Sequence, residues 1–228
     1  MSQGHPPSVF LALCIYVVEF LTGAIVMSFE MLLSDRLAPY FGSDIYTWAS
    51  LISTVLAASC VGYFLGGVLA DRYPSPRVLG AMLTVGSVYL LLLPSFDEPV
   101  LQFFERHIDD IRLGGLAAAL AIMFFPVMLL GISSPFAIRL LLPSQHNSGV
   151  VSGTVYGVAT AGCILGVLGT PFFLIPLIGP RAIGLALGIV GILAGVVLIG
   201  AGAAMREDAP APGDPRITGQ GQRKKIET

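Results

Sequence analysis

The sequence predicts an all-α fold, a polytopic membrane bundle of about six transmembrane helices, and three observations predict it. Of 228 residues, 55% are hydrophobic and 11% charged, where an ordinary soluble domain has about 25% charged residues. Mean hydropathy is +0.84. The charges are segregated into short intervals between long uncharged stretches, the pattern of alternating spans and loops.

A spanning helix needs about 20 mostly apolar residues, and six segments qualify: 9–33, 45–70, 78–93, 113–142, 150–178 and 182–204. The first has no basic leader region or small-residue cleavage site, so it reads as a retained helix rather than a signal peptide. The third is the shortest and borrows length from Arg77 and Pro94. The fourth and fifth contain Pro126, Pro135, Pro171 and Pro176, where a missing backbone N–H predicts kinks. Together, residues 1–204 form one membrane domain. Residues 205–228, rich in Pro, Gly and charge, read as a disordered tail.

Between the third and fourth spans, Val100, Leu101, Phe104, Ile108 and Ile111 recur at helical spacing among Glu105, Arg106, Asp109 and Asp110. That pattern predicts an amphipathic helix over 97–112 lying on the membrane surface. Orientation follows from Lys and Arg. With both termini in the cytoplasm, the inner side holds Arg72, Arg77, Arg139, Arg206, Arg216, Arg223, Lys224 and Lys225, and the outer side only Arg36, Arg106, Arg112 and Arg181. Trp48, with Tyr40 and Tyr46, reads as an aromatic anchor at the outer interface.

The net charge of -2 and the absence of a basic face exclude a nucleic-acid-binding role. Cys14, Cys60 and Cys163 match no metal or disulfide spacing, so no metal and no cofactor are expected. His5, His107 and His146 are scattered over termini and loops. No Ser/His/Asp set and no paired carboxylates on separate helices are present, so no catalytic residue is assigned.

Ionisable residues at membrane depth are the first candidates for function. Glu19 and Glu30 stand eleven residues apart on the first helix and so share a face within about 20°. A proton relay or cation site, or a plain helix–helix hydrogen bond, fits Glu19. Glu30 lies a turn from the outer boundary, where water or Arg36 could meet it. Glycines recur at four-residue spacing in Gly62/Gly66, Gly153/Gly157, Gly162/Gly166, Gly184/Gly188 and Gly191/Gly195, which lets helix backbones approach closely. Packing within one chain is the default, and self-association the alternative.

The second helix ends in Gly67-Val68-Leu69-Ala70-Asp71-Arg72, which resembles the loop between the second and third helices of major facilitator superfamily transporters. Pro74 stands where that motif has glycine, and only Arg77 is basic beyond it. An Asp-Arg pair there holds a gate or ends a helix. More broadly, the chain resembles the membrane portion of bacterial fused major facilitator/spermidine synthase-like proteins. The residues that carry this are Phe29-Glu30-Met31, Leu37-Ala38-Pro39-Tyr40-Phe41-Gly42-Ser43, Tyr46-Thr47-Trp48, Gly66 through Arg72, Ser134-Pro135-Phe136-Ala137-Ile138-Arg139-Leu140, Ser152-Gly153, Tyr156, Gly162, Gly166 and Leu174-Ile175-Pro176-Leu177-Ile178-Gly179. One departure is that the family places its basic residue directly after a serine, where this chain has Asp35, with Arg36 next.

The resemblance implies a half-major-facilitator-like bundle in a bacterial inner membrane. In the fused proteins a soluble synthase-like domain is attached. This sequence shows no glycine-rich strand-turn-helix signature of one, so a separate protein is expected to supply it. Three roles follow as expectations: a non-catalytic subunit or anchor acting with a soluble synthase-like partner or a larger membrane complex; a half-size transporter of polyamines or other small cations working as a homodimer, with Glu19 binding the cation; and, least supported, an intramembrane enzyme.

Overall fold

The computed structural model of the chain describes residues 9–142 and 148–207, with side chains up to residue 203. The predicted tail beyond 207, together with His5 and His146, lies outside the described residues. Eight α-helices follow one another: α1 (Val9–Phe41), α2 (Ile45–Arg72), α3 (Pro76–Leu92), α4 (Asp97–His107), α5 (Ile111–Gly131), α6 (Ser133–Leu141), α7 (Ser148–Gly169) and α8 (Ile175–Glu207). Among the described residues there is no strand. This is the all-α bundle the composition predicts.

Five continuous helical stretches are long and apolar enough to cross a membrane: Val9–Phe41, Ile45–Arg72, Pro76–Ser95, Ile111–Leu141 and Ser148–Ala203. The last has 56 residues, about 84 Å if straight, nearly three times the hydrocarbon thickness. It is not straight. Gly179 leaves helical geometry at φ 78°, ψ 161°, with Pro180 directly after it. Only glycine adopts that φ without strain, so the chain folds back here and the stretch makes two passes. The molecule is a multi-pass membrane protein, and both the first and the last pass reach the end of the bundle that holds the α2–α3 turn.

Caps fix where helices begin. Asp44 Oδ1 accepts from Tyr46 N and Thr47 N, each at 3.0 Å, at the start of α2. Ser75 Oγ accepts from Arg77 N at 3.3 Å at the start of α3, with Pro76 at its first position. Asp110 Oδ1 accepts from Arg112 N at 2.9 Å at the start of α5. Each cap satisfies an N–H that has no partner within the helix.

Several boundaries differ from the sequence expectation. α1 continues eight residues past Leu33, so Asp35 and Arg36 are helical rather than in a loop. The surface helix α4 ends at His107, and Ile108 is extended at φ -122°, ψ 107°. Asp109 and Asp110 then belong to the turn that caps α5, which shortens the expected 97–112 helix. The prolines act unequally. Pro126 sits inside α5 without ending it. Pro135 lies in the first turn of α6, just after the break at Gly131 and Ile132, because its ring conflicts with the carbonyl four residues back. Around Pro171 the helix widens to a π turn over Thr170–Leu174, a local adjustment that accommodates the missing donor.

Packing centres on α1, which is flanked by α7 on one side and by α5 and α8 on others, while α2 lies on α5 and α6, and α3 on α8. The core gathers Ile15, Phe29, Leu37, Leu51, Leu83, Ile122 and Phe136, all fully buried. Among the described residues no Cα of α2 comes within 8 Å of one of α7, and the gap between them leaves one side of the bundle open.

Candidate functional site: a cleft at Glu19

On α1, Glu19, Thr22, Gly23, Val26 and Met27 repeat at three- and four-residue spacing and so share one face. That face forms the floor of a cleft of about 640 Å³, walled by α2 (Leu56, Cys60, Tyr63, Phe64) and α7 (Tyr156, Ala159, Cys163), with the break between α5 and α6 (Gly131, Ser133, Ser134) behind. Glu19 is 1% exposed. Ser134 Oγ donates to Glu19 Oε2 at 2.9 Å, and this bond joins residues 115 positions apart. Glu19 Oε1 is buried and has no hydrogen-bond partner among the described residues.

The helix break is what brings the serines there. Were α5 to run unbroken through Ile132, no helix would begin at Ser133. Because Pro135 ends it, α6 starts beside Glu19 and its first turn carries Ser133 and Ser134 to that depth. A carboxylate at membrane depth with one bonded oxygen and one bare oxygen is costly unless a proton or a cation completes it.

The second predicted carboxylate goes elsewhere. Glu30 is 5% exposed, lies about 16 Å further along α1, and does not line the cleft. Arg36, a candidate partner for it, is engaged by another group. Its Nη2 lies 2.6 Å and its Nε 2.8 Å from Asp97 Oδ2, at the start of α4. This pair ties the surface helix to α1.

The Gly67–Arg77 motif is divided among four environments. Asp71 pairs across to Arg139 on α6, with Nε 3.0 Å from Oδ1, rather than with its neighbour Arg72. The Arg72 guanidinium sits 5.7 Å from the Tyr73 ring. Arg77 packs against Gly202 of α8, and its buried Nε has no partner among the described residues. Gly67 faces open space.

The glycine pairs divide as sharply. A Cβ at Gly162 would strike the Phe20 backbone, and one at Gly166 the Ala24 carbonyl, while Gly23 abuts the Ala159 carbonyl in return. Gly62 and Gly66 sit on the backbone of Met128, Gly131 and Ile132. A Cβ at Gly153 or Gly157, however, would meet nothing within 4 Å among the described residues. The expectation of packing within the chain does not hold at these two. The four-residue spacing was the same, so the sequence had no means of separating them.

Sequence reasoning missed Ser133, Ser134, Tyr63 and Tyr156 as neighbours of Glu19. The serines directly before Pro135 were a readable signal, since polar residues at a proline break inside an apolar span have few other uses. Arg112 lies 4.0 Å from the Tyr46 ring, so Tyr46, expected as an interfacial aromatic, is a cation–π partner.

Fold and site together define a multi-pass helical membrane protein with an open, mostly apolar cleft that holds one buried carboxylate, Glu19. No protein-family model, no curated protein and no solved structure matches the chain.

Proposed function

We propose that this chain is a non-catalytic integral membrane subunit that acts in assembly with another protein, its α2–α7 side being closed by that partner. One observation carries the reading: a cleft holding a buried carboxylate stands open between two helices whose backbones stay apart. Lipid tails cannot hydrogen-bond, so a cleft that holds a carboxylate within the bilayer is suited to protein or ligand cover. The resemblance to the membrane portion of spermidine synthase-like fusion proteins adds a candidate, a separate soluble synthase-like protein; a larger membrane complex and a second copy of the chain are the others. The Lys/Arg bias supports both termini in the cytoplasm, and the resemblance supports a bacterial inner membrane.

Extraction of the chain from native membranes in mild detergent tests this. The expected outcome is a stoichiometric co-purifying protein, or a dimer, whose loss opens Cys60 to thiol reagents. A partner-free monomer would overturn the reading.

A second reading is favoured by the bare Glu19 Oε1. In it, the chain is a half-size transporter of small cations, two copies enclosing the cleft, with Glu19 as the cation-binding group and the Asp71–Arg139 contact as a gate. Proteoliposomes are expected to accumulate a small organic cation, and Glu19→Gln to abolish the uptake. Failure to move any such cation would remove this reading while leaving the first.

A further inference from the structure

We infer that the Glu19 cleft binds a single protonated amine carried on an apolar body, the Glu19 side chain turning toward the cleft so that its carboxylate accepts the ammonium N–H. This rests on the cation-binding reading of the cleft, and it narrows the class of cation.

Four features of the lining select the class. The acceptor is a buried carboxylate oxygen with no hydrogen-bond partner among the described residues, and a charge-assisted N–H···O bond is the strongest way to complete it. The lining has no Lys, Arg or His, so phosphate- or carboxylate-bearing ligands would place an unmatched negative charge in the bilayer interior. Glu19 is the only acidic residue in the lining, which matches one positive charge; the second charge of a diamine would be set against Val26, Met27 or Leu56. Finally, a volume of about 640 Å³ falls in the range of roughly 300–1,000 Å³ typical of small organic ligands and far exceeds what a bare metal ion fills.

Metal binding is disfavoured on the donor set as well, since no group of three His, Cys, Asp or Glu comes together among the described residues. Tyr63 and Tyr156, on opposite walls, add two aromatic side chains to the lining. The gap between α2 and α7 gives an apolar body a route in from the bilayer, so such a ligand need not cross as a free ion.

The test uses the full chain in lipid nanodiscs with three probes of similar size: phenethylamine, its neutral analogue phenethyl alcohol, and putrescine. Two readouts are taken, equilibrium binding of radiolabelled probe and the rate of maleimide labelling at Cys60. Cys60 is an exposed thiol of the cleft wall, followed in a Cys14→Ser/Cys163→Ser background. Phenethylamine is expected to bind saturably and to slow Cys60 labelling. Glu19→Gln is expected to weaken that binding by about tenfold or more, the loss of a hydrogen bond to a charged group, while Glu30→Gln leaves it unchanged.

Equal binding of phenethyl alcohol would mean partition without recognition and would overturn the proposal. Equal binding of putrescine would overturn its single-charge selectivity. Should Glu19→Gln fail to fold, amine protection of Cys60 in the Glu19-containing chain still decides, and its absence is a negative result. Uptake of another cation without phenethylamine binding would refute this inference and keep the transport reading; phenethylamine binding without any uptake would do the reverse. Where a co-purifying protein shields Cys60, equilibrium binding to that complex is the readout, and the absence of saturable phenethylamine binding there overturns the inference.

Discussion

The two faces of α7 carry glycines at the same spacing and use them in opposite ways. Gly162 and Gly166 press against the α1 backbone at Phe20 and Ala24, whereas Gly153 and Gly157 look onto open space. On the first face the helices approach so closely that backbone meets backbone, and van der Waals contact over that seam is what holds α7 in place. On the second, no described residue of this chain covers the helix, and the cleft at Glu19 lies alongside. A four-residue glycine repeat therefore marks a surface fit for close approach without saying which molecule approaches.

The comparison breaks first at the sealed face. Gly162→Val is expected to destabilise by about 2–3 kcal/mol or more, since the added atoms meet a backbone carbonyl that has no rotamer to change. The check is thermal unfolding in detergent followed by monodispersity, where a large fall in midpoint or loss of folded protein is predicted.

The two ion pairs sharpen it next, because they differ in burial as the two faces do. In the Arg36–Asp97 pair the side chains are 29% and 4% exposed, and in Asp71–Arg139 they are 77% and 50% exposed for Asp71 and Arg139 respectively. Asp97→Asn should cost about 2 kcal/mol by leaving Arg36 without its counter-charge and should release α4, visible as faster proteolysis between Leu92 and Ile111. Asp71→Asn should cost under about 1 kcal/mol and its effect should vanish in high salt. The Arg36–Asp97 pair is a clamp and the Asp71–Arg139 pair a weak, solvent-exposed contact.

The smallest effect is expected at the open face. Gly157→Ala should leave the stability of the isolated chain within about 0.5 kcal/mol of the original or raise it, since alanine is the better helix former and meets no neighbour. If it instead lowers recovery of a co-purifying partner without lowering thermal stability, α7 takes part in the assembly.

Much of the fold was legible in the sequence because spans are written in local composition. Uncharged runs gave the passes, Pro135 the break in the fourth, and the Lys/Arg intervals the turns. Glu19 stood out because a carboxylate in an apolar run is conspicuous. What was not legible was long-range: Ser134 meets Glu19 from 115 positions away, Arg139 meets Asp71 from 68, and Arg36 meets Asp97 from 61. Helical periodicity tells which residues share a face, and it does not tell which helix the face meets. The same limit explains Glu30, placed correctly on the Glu19 face yet too far along α1 to enter the cleft. It also explains Gly153 and Gly157, whose spacing was read and whose neighbour was not. Pro126 shows a different limit, since a buried proline inside α5 is held helical by the packing around it.

The central claim is that the open α2–α7 side at Glu19 is where this protein meets another molecule. The most direct measurement places a photo-crosslinking amino acid at Phe64, on the cleft wall and 74% exposed, and separately at Leu193, 60% exposed on α8 outside that cleft, in native membranes. The account predicts a discrete protein adduct from Phe64 and only lipid adducts from Leu193. Lipid adducts alone from both positions, or the same protein adduct from each, would contradict it.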